Sequence, residues 1–253
     1  MIHFVGAGPG AADLITLRGA RLLKEAGMII YAGSLVNPEL LKLAKKDCEI
    51  YDSARMTLDE VVEKLREAHS SGVDAVRLHT GDPSIYGAIR EQIDRLKALR
   101  IPYDITPGVS SFCAAAAAAE AEYTLPSVSQ TVIITRMEGR TPVPEREKIR
   151  SLAAHHASMV LFLSAGMLDA LCAELIAGGY EPQTDAALVY KASWPDQKVL
   201  RGALAELPRL AEQAGISRTA LVLVGDFLGD EYELSKLYDK HFSHGFRKAA
   251  EER

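Results

Sequence analysis

The chain has 253 residues, of which 48% are hydrophobic and 25% charged, and a formal net charge of -5. That length fits one large domain or two of ordinary size, with globular composition. The acidic balance argues against a general nucleic-acid binder, and the longest apolar run, Cys113 to Ala119, is too short to cross a bilayer. In chain order, IHFVG (2–6) predicts a first strand that runs into the turn Gly6-Ala7-Gly8-Pro9-Gly10. Thr16 predicts a helix cap, with Leu17, Ala20, Leu23 and Ala26 on one face. MIIYAG (28–33) and CEIYDS (48–53) read as strands. Thr57-Leu58-Asp59-Glu60 is a capping box, followed by Val61, Leu65 and Ala68 at helical spacing. A strand at DAVRLHTG (74–81), a helix with Ile89, Ile93 and Leu96 on one stripe, and a strand at YDITPG (103–108) follow. This alternation predicts a mainly parallel sheet covered by helices.

The rhythm changes near EYTLPSVSQ, where Pro126 and small polar residues mark a linker and place a boundary near Ser127. TVIITR, SMVLFLSA, DAALVYKAS, KVLRG and TALVLVGDFL then read as strands, with helical segments near 145–155, 166–178 and 204–213. Strands that follow one another this directly predict antiparallel members. The expected organisation is an α/β domain over 1–126, a second α/β domain with a mixed sheet over 127–245, and a polar tail over 246–253. Cys48, Cys113 and Cys172 are far apart and odd in number, which predicts reduced thiols rather than a disulfide framework or zinc site. No basic, apolar leader opens the chain, so no signal peptide is expected and the cytoplasm is the expected location.

The glycine turn formally fits GxGxxG/A, but a dinucleotide site also needs the helix to open inside the motif and an acid at the end of the next strand. Here Asp13-Leu14-Ile15-Thr16 intervenes, and the next strand ends Tyr31-Ala32-Gly33-Ser34. A nicotinamide-dependent oxidoreductase is therefore disfavoured. A tight turn without a ligand explains this loop equally well. The second loop, HTGDPSIYG, places Asp82 either in a ligand crevice or as cap of a helix beginning near Ser84. In the third, TPGVSSFCAAAAA, Ser110 or Ser111 can cap an alanine-rich helix. Three glycine-bearing strand ends in one half-chain converge on one sheet edge, a stronger signal than any single loop.

Together these loops resemble the tetrapyrrole methylase family. The resemblance rests on VGAGPG at 5–10 with DLIT at 13–16, GDP at 81–83 with YG at 86–87, and PGVSS at 107–111. FLSA at 162–165, YKASWPDQ at 190–197 and TALVLVGD at 219–226 extend it over residues 1–245. It implies two α/β domains with a cleft between them, a homodimer, and S-adenosylmethionine as methyl donor, converted to S-adenosylhomocysteine, with no metal required. The implied donor-binding residues are Pro9, Gly81, Asp82, Ile85, Ser110, Ser111, Leu163 and Ala192, with backbone contacts from Thr219 and Ala220. The expected substrate-facing residues are Gly8, Tyr31, Ser34, Tyr86 and Arg136. No catalytic residue is assigned.

Members acting on uroporphyrinogen typically carry YDRLV after the second strand, and this chain has Tyr31-Ala32-Gly33-Ser34-Leu35-Val36. That departure disfavours uroporphyrinogen, and the stretch resembles instead that of members acting on precorrin-4, which implies carbon 11 of precorrin-4 or its cobalt form as the target. An rRNA or translation-factor methylase of the same superfamily, or a noncatalytic binder, are the other readings. The carboxylate-rich small-molecule substrate needs cationic partners. Arg18, Arg55, Arg136 and Lys191 are candidates, Arg136 first because it ends an apolar strand. Tyr31, Tyr86 and Trp194 either face the macrocycle or pack in the core. His79 reads as a packed strand histidine, and neither nucleic acid nor membrane is expected as a partner.

Overall fold

Among the residues described in the computed structural model, 1–33 and 35–249, two five-stranded sheets are formed. The first contains β1 (Ile2–Gly6), β2 (Met28–Tyr31), β3 (Glu49–Asp52), β4 (Ala75–His79) and β5 (Tyr103–Thr106) in the order β3-β2-β4-β1-β5. Every pairing in it is parallel. The second contains β6 (Val132–Arg136), β7 (Ser158–Phe162), β8 (Asp185–Tyr190), β9 (Lys198–Ala203) and β10 (Ala220–Val224) in the order β6-β7-β10-β8-β9. There β6 and β7 are parallel, while β10 runs antiparallel to both β7 and β8. The expected fold class, an N-terminal parallel and a C-terminal mixed sheet, is what the chain adopts.

The chain divides into two compact units, Met1–Ala115 with Lys191–Lys198, and Ala116–Tyr190 with Val199–Arg253. The segment Lys191–Lys198 thus groups with the first sheet although it connects two strands of the second.

In the first unit α1 (Leu17–Glu25) starts at Thr16, whose hydroxyl accepts the Gly19 N–H. Its buried face is Gly19, Leu22, Leu23 and Ala26, while Leu17, expected on the buried stripe, is exposed at the first turn. The capping box of α2 (Leu58–Ser70) is complete: the Glu60 N–H donates to Thr57 Oγ1 at 3.3 Å and the Thr57 N–H donates to Glu60 Oε2 at 2.7 Å. Such a cap contributes about 1 kcal/mol. With α3 (Ile89–Ala98), α2 covers one sheet face, where Ile2, Phe4, Ile30, Leu65 and Leu96 pack. Val5, Leu23, Ile29 and Leu78 fill the other face. The central strands β1, β2 and β4 are largely buried on both faces, whereas the edge strands β3 and β5 are partly exposed.

In the second unit α5 (Ile149–Ala153), α6 (Leu168–Ala177) and α7 (Leu207–Ala214) supply Ile149, Leu171 and Leu207 to one core with Met159, Leu188 and Val222 of the strands. Beyond β10 the chain to residue 249 is largely irregular and carries exposed Tyr232, Leu234, Leu237, Tyr238 and Phe246.

Candidate functional site

Three adjacent strands of the first sheet end on glycines that meet backbone to backbone. A Cβ on Gly6 would stand 2.6 Å from Gly108 Cα and 2.6 Å from Gly81 O. One on Gly108 would overlap Gly81 O. Gly8 (φ 82°) and Gly81 (φ 58°) pair as an isolated bridge, with Gly81 N donating to Gly8 O at 2.8 Å. At Gly6 and Gly108 a side chain would force the loops after β1, β4 and β5 apart, whereas Gly8 and Gly81 meet the left-handed backbone that glycine adopts without strain. This carboxyl edge, where β1 separates β4 from β5, is where open α/β sheets bind ligands.

Asp82 ties two of the loops together. Its Oδ1 accepts from Ser84 N (2.8 Å) and Ser84 Oγ (2.5 Å), and its Oδ2 accepts from Gly108 N (2.9 Å). No helix begins near Ser84: residues 83–86 form turns and α3 starts at Ile89, so Asp82 is not a helix cap. Burial pushes its carboxyl upward, but the hydrogen bonds from Ser84 and Gly108 outweigh burial and hold it below the ordinary aspartate range. The same loop carries Ile85, partly buried, and Tyr86, 47% exposed. Tyr86 (φ 54°) and Ala88 (φ 49°) are left-handed without being glycine. Such residues cost free energy and concentrate where a binding loop is held in one shape. Buried Ser110 and partly buried Ser111 open α4 (Ser111–Ala118).

Beneath this edge β4 buries two ionisable groups. Arg77 donates to Gln92 Oε1 (3.0 Å) and Ile30 O (3.2 Å), and Gln92 Nε2 donates to Ala88 O (3.1 Å). Burial lowers the Arg77 guanidinium to about 10, which leaves it charged at neutral pH. His79, 4% exposed, stacks on Phe4 with ring centroids 6.0 Å apart, as the packed-histidine reading expects. Burial first, and the Arg77 charge second, lower it to about 3.

The segment after β2 is latched from neighbouring strands. Gly33 N donates to Asp52 Oδ1 (3.1 Å), Ser53 Oγ to Tyr31 O (3.0 Å), and Thr80 Oγ1 to Leu35 O (2.9 Å). Tyr31 is partly buried at its start, and Ser34 lies outside the described residues. The glycine turn opens into a short 3-10 turn, Ala12–Leu14, and α1 begins only at Leu17, so α1 does not open inside the turn. Instead Trp194 Nε1 donates to Pro9 O (3.2 Å) and Ala11 N donates to Ser193 Oγ (3.0 Å). Trp194 neither sits in the core nor stands clear; it covers Gly10, where a Cβ would overlap the indole. Buried Ala192 lies in the same segment.

The second unit has an irregular edge of its own. Register pairs Arg136 with Phe162, Val222 with Leu161, and Ala220 with Tyr190, so Arg136, Leu163 and Ala220 come to one sheet edge. Leu163 (φ 54°) and Thr219 (φ 56°) are left-handed there, and Leu163 is 65% exposed. Fully buried Ser164 clamps the bend, its Oγ accepting from Met137 N (3.0 Å) and donating to Phe162 O (2.7 Å). Arg136 donates to the carbonyls of Met137 (3.3 Å), Thr141 (3.2 Å) and Pro142 (2.9 Å). Its charge at the strand end therefore has loop partners already. Arg18 and Arg55 are exposed, and Lys191 pairs with Asp196 at 2.6 Å.

Residues 1–208 match the family model described as Tetrapyrrole (Corrin/Porphyrin) Methylases. The chain belongs to the tetrapyrrole methylase family. It is 54% identical to the cobalt-precorrin-4 C(11)-methyltransferase of Methanocaldococcus jannaschii, over 98% of this chain and 96% of that one. A solved cobalt-precorrin-4 methyltransferase of cobalamin biosynthesis matches with a TM-score of 0.89 at 44% identity, covering 90% of this chain and 96% of that chain. The uroporphyrin-III C-methyltransferase of Thermus thermophilus, complexed with S-adenosylhomocysteine, matches with a TM-score of 0.75 at 26% identity, covering 90% and 92%.

In this family member the residues that shape the loops include several that sequence reasoning passed over. Asp52, Ser53, Thr80, Gln92, Ser164 and Ser193 each hold a backbone group of a candidate loop. Ser193, Ser164 and Thr80 had a signal, since they lie inside YKASWPDQ, FLSA and HTGDPSIYG; Asp52, Ser53 and Gln92 lie outside the stretches that carry the resemblance.

Proposed function

We propose that this chain is an S-adenosylmethionine-dependent methyltransferase acting at carbon 11 of precorrin-4 or cobalt-precorrin-4 in cobalamin biosynthesis. The observation that carries the reading is 54% identity, over nearly the whole chain, to a relative named for that activity. The convergence of three glycine strand ends supports it, because it builds a backbone-lined edge for a ligand.

S-adenosylmethionine supplies a methyl group on a sulfonium whose positive charge disperses during displacement. Such chemistry asks for no nucleophilic side chain and no metal ligand. The loops fit it, since they offer backbone amides and carbonyls, small residues and apolar side chains. Their task is to hold the acceptor carbon roughly 3–3.5 Å from the methyl group and in line with it, and to exclude water. On the family resemblance, Pro9, Gly81, Asp82, Ile85, Ser110, Ser111 and Ala192 are assigned to the donor. The same resemblance adds Leu163, Thr219 and Ala220. Asp82 acts through its hold on Ser84 and Gly108, so its part is to shape the loop. Gly8, Tyr31, Ser34 and Tyr86 are assigned to the tetrapyrrole. Arg136 is the carboxylate partner, an assignment that requires its guanidinium to release at least one loop carbonyl. A homodimer in the cytoplasm belongs to the same reading, and sedimentation of the purified chain tests the dimer.

The deciding experiment supplies precorrin-4 and cobalt-precorrin-4 side by side with a donor carrying a carbon-labelled methyl group, and reads the product by NMR. Label at carbon 11, with none transferred to uroporphyrinogen, is expected. Label at another ring carbon would overturn the assignment.

A further inference from the structure

The strap Lys191–Lys198 leaves β8 and returns into β9, yet it packs with the first unit. It is braced within itself. Trp194 N donates to Lys191 O (3.0 Å), Gln197 N to Trp194 O (3.0 Å), and Ser193 N to Gln197 Oε1 (2.6 Å). The Lys191 ammonium, paired with Asp196, stands 5.6 Å from the Trp194 ring centroid. Lys191 (φ 46°) and Ser193 (φ 69°) are both left-handed. Two non-glycine residues in that region within one short connection mark a shape that its surroundings enforce.

What the strap holds is the glycine turn. The Pro9 carbonyl accepts from Trp194, the Gly10 carbonyl from Asn37 Nδ2 (2.9 Å), and the Ala11 N–H is taken by Ser193. Proline has no N–H to offer, so between the Gly8–Gly81 pair and the Leu14 N–H bond to Ala11 O these three bonds from distant residues hold the turn. Gly10 has no Cβ, and the indole occupies the space one would fill.

We propose that Ser193 and Trp194 are positioning residues that set the Pro9–Ala11 turn for the methyl donor, and that Trp194 senses donor occupancy. The donor half of this rests on the function proposed above; the hold on the turn does not. Trp194 is the single tryptophan of the chain, so its emission reports this turn alone.

Two measurements on the full chain test the proposal. In ligand-free protein, hydrogen exchange of residues 8–12 is expected to quicken in Trp194→Ala and Ser193→Ala, with β2 and β4 unchanged. On titration with S-adenosylhomocysteine, wild-type emission is expected to change saturably. By calorimetry Trp194→Ala is expected to weaken binding about tenfold or more, and Ser193→Ala about fivefold, the scale of one lost hydrogen bond. Trp194→Phe keeps a ring over Gly10 and is expected to recover most of the affinity. If Trp194→Ala does not fold, Ser193→Ala and Trp194→Phe carry the test. Unchanged exchange and unchanged affinity in the folded variants would overturn the proposal. Emission that responds to the tetrapyrrole and not to S-adenosylhomocysteine would place Trp194 against the macrocycle and overturn it too. Absence of any S-adenosylhomocysteine binding by wild type would sink the donor reading, while exchange would still decide whether the strap sets the turn.

Discussion

The irregular strand ends of the two sheets are built by opposite means. In the first sheet the loops come together because Gly6 and Gly108 lack side chains, and their backbone lies directly on that of Gly81 and on each other. In the second sheet the bend after β7 is made by Leu163 in a left-handed conformation, held by the buried hydroxyl of Ser164. The units also differ in what they bury. The first encloses Arg77 and His79, whereas the buried polar residues of the second, among those described, are the hydroxyls Thr135, Ser158 and Ser164. One edge is shaped by removing atoms and the other by adding a hydrogen-bonding group. Mutations should therefore damage them differently.

The largest effect is expected from Gly108→Ala. Its Cβ would meet the Gly81 carbonyl and Gly6 Cα, both backbone, so no side chain can swing aside. A loss of about 3 kcal/mol is expected, read as a lowered midpoint in urea denaturation. A near-neutral result would break the view that this edge is packed backbone to backbone.

Next comes the pH dependence of the first unit. Unfolded His79 titrates near 6.5 and the folded side chain near 3. Its neutral form is the one the fold accepts, so full stability is present above about 6.5 and is lost progressively as pH falls towards 3. Between pH 7 and pH 5 the loss from this residue is about 2 kcal/mol. His79→Phe is expected to flatten stability against pH in that window, whatever its effect at neutral pH. An unaltered slope would show that the acid sensitivity arises elsewhere.

Ser164→Ala should cost about 1 kcal/mol, because the partly buried Met137 N–H and Phe162 carbonyl each lose a partner at the buried hydroxyl. Smallest of all is Leu163→Gly. Relief of the left-handed strain and the greater freedom of glycine in the unfolded chain oppose one another, each about 1 kcal/mol. Thermal unfolding should hardly move. If donor affinity falls all the same, the exposed leucine is there for its contact; if stability rises markedly, the bend carries more strain than Ser164 offsets.

Much of this molecule is legible in its sequence. The alternating apolar runs and helical stripes located all ten strands, because each records the burial of its own element. Thr16 and the Thr57–Glu60 box marked two helix starts, since a cap bonds only its own first turn. Direct succession of the later strands announced antiparallel members. The positions of the glycines showed that the loops after β1, β4 and β5 were special, and the motif set pointed to the family. The tertiary structure decided which groups hold those loops. Asp82 read as either a ligand contact or a helix cap; it caps no helix, and its carboxylate joins Ser84 to Gly108. Asp52 secures Gly33, and Trp194 and Ser193 secure Pro9 and Ala11 from the far half of the chain. A hydrogen bond between groups so distant in sequence imposes no spacing on either segment. Periodicity encodes which way a residue faces, and only the folded chain determines what it meets there.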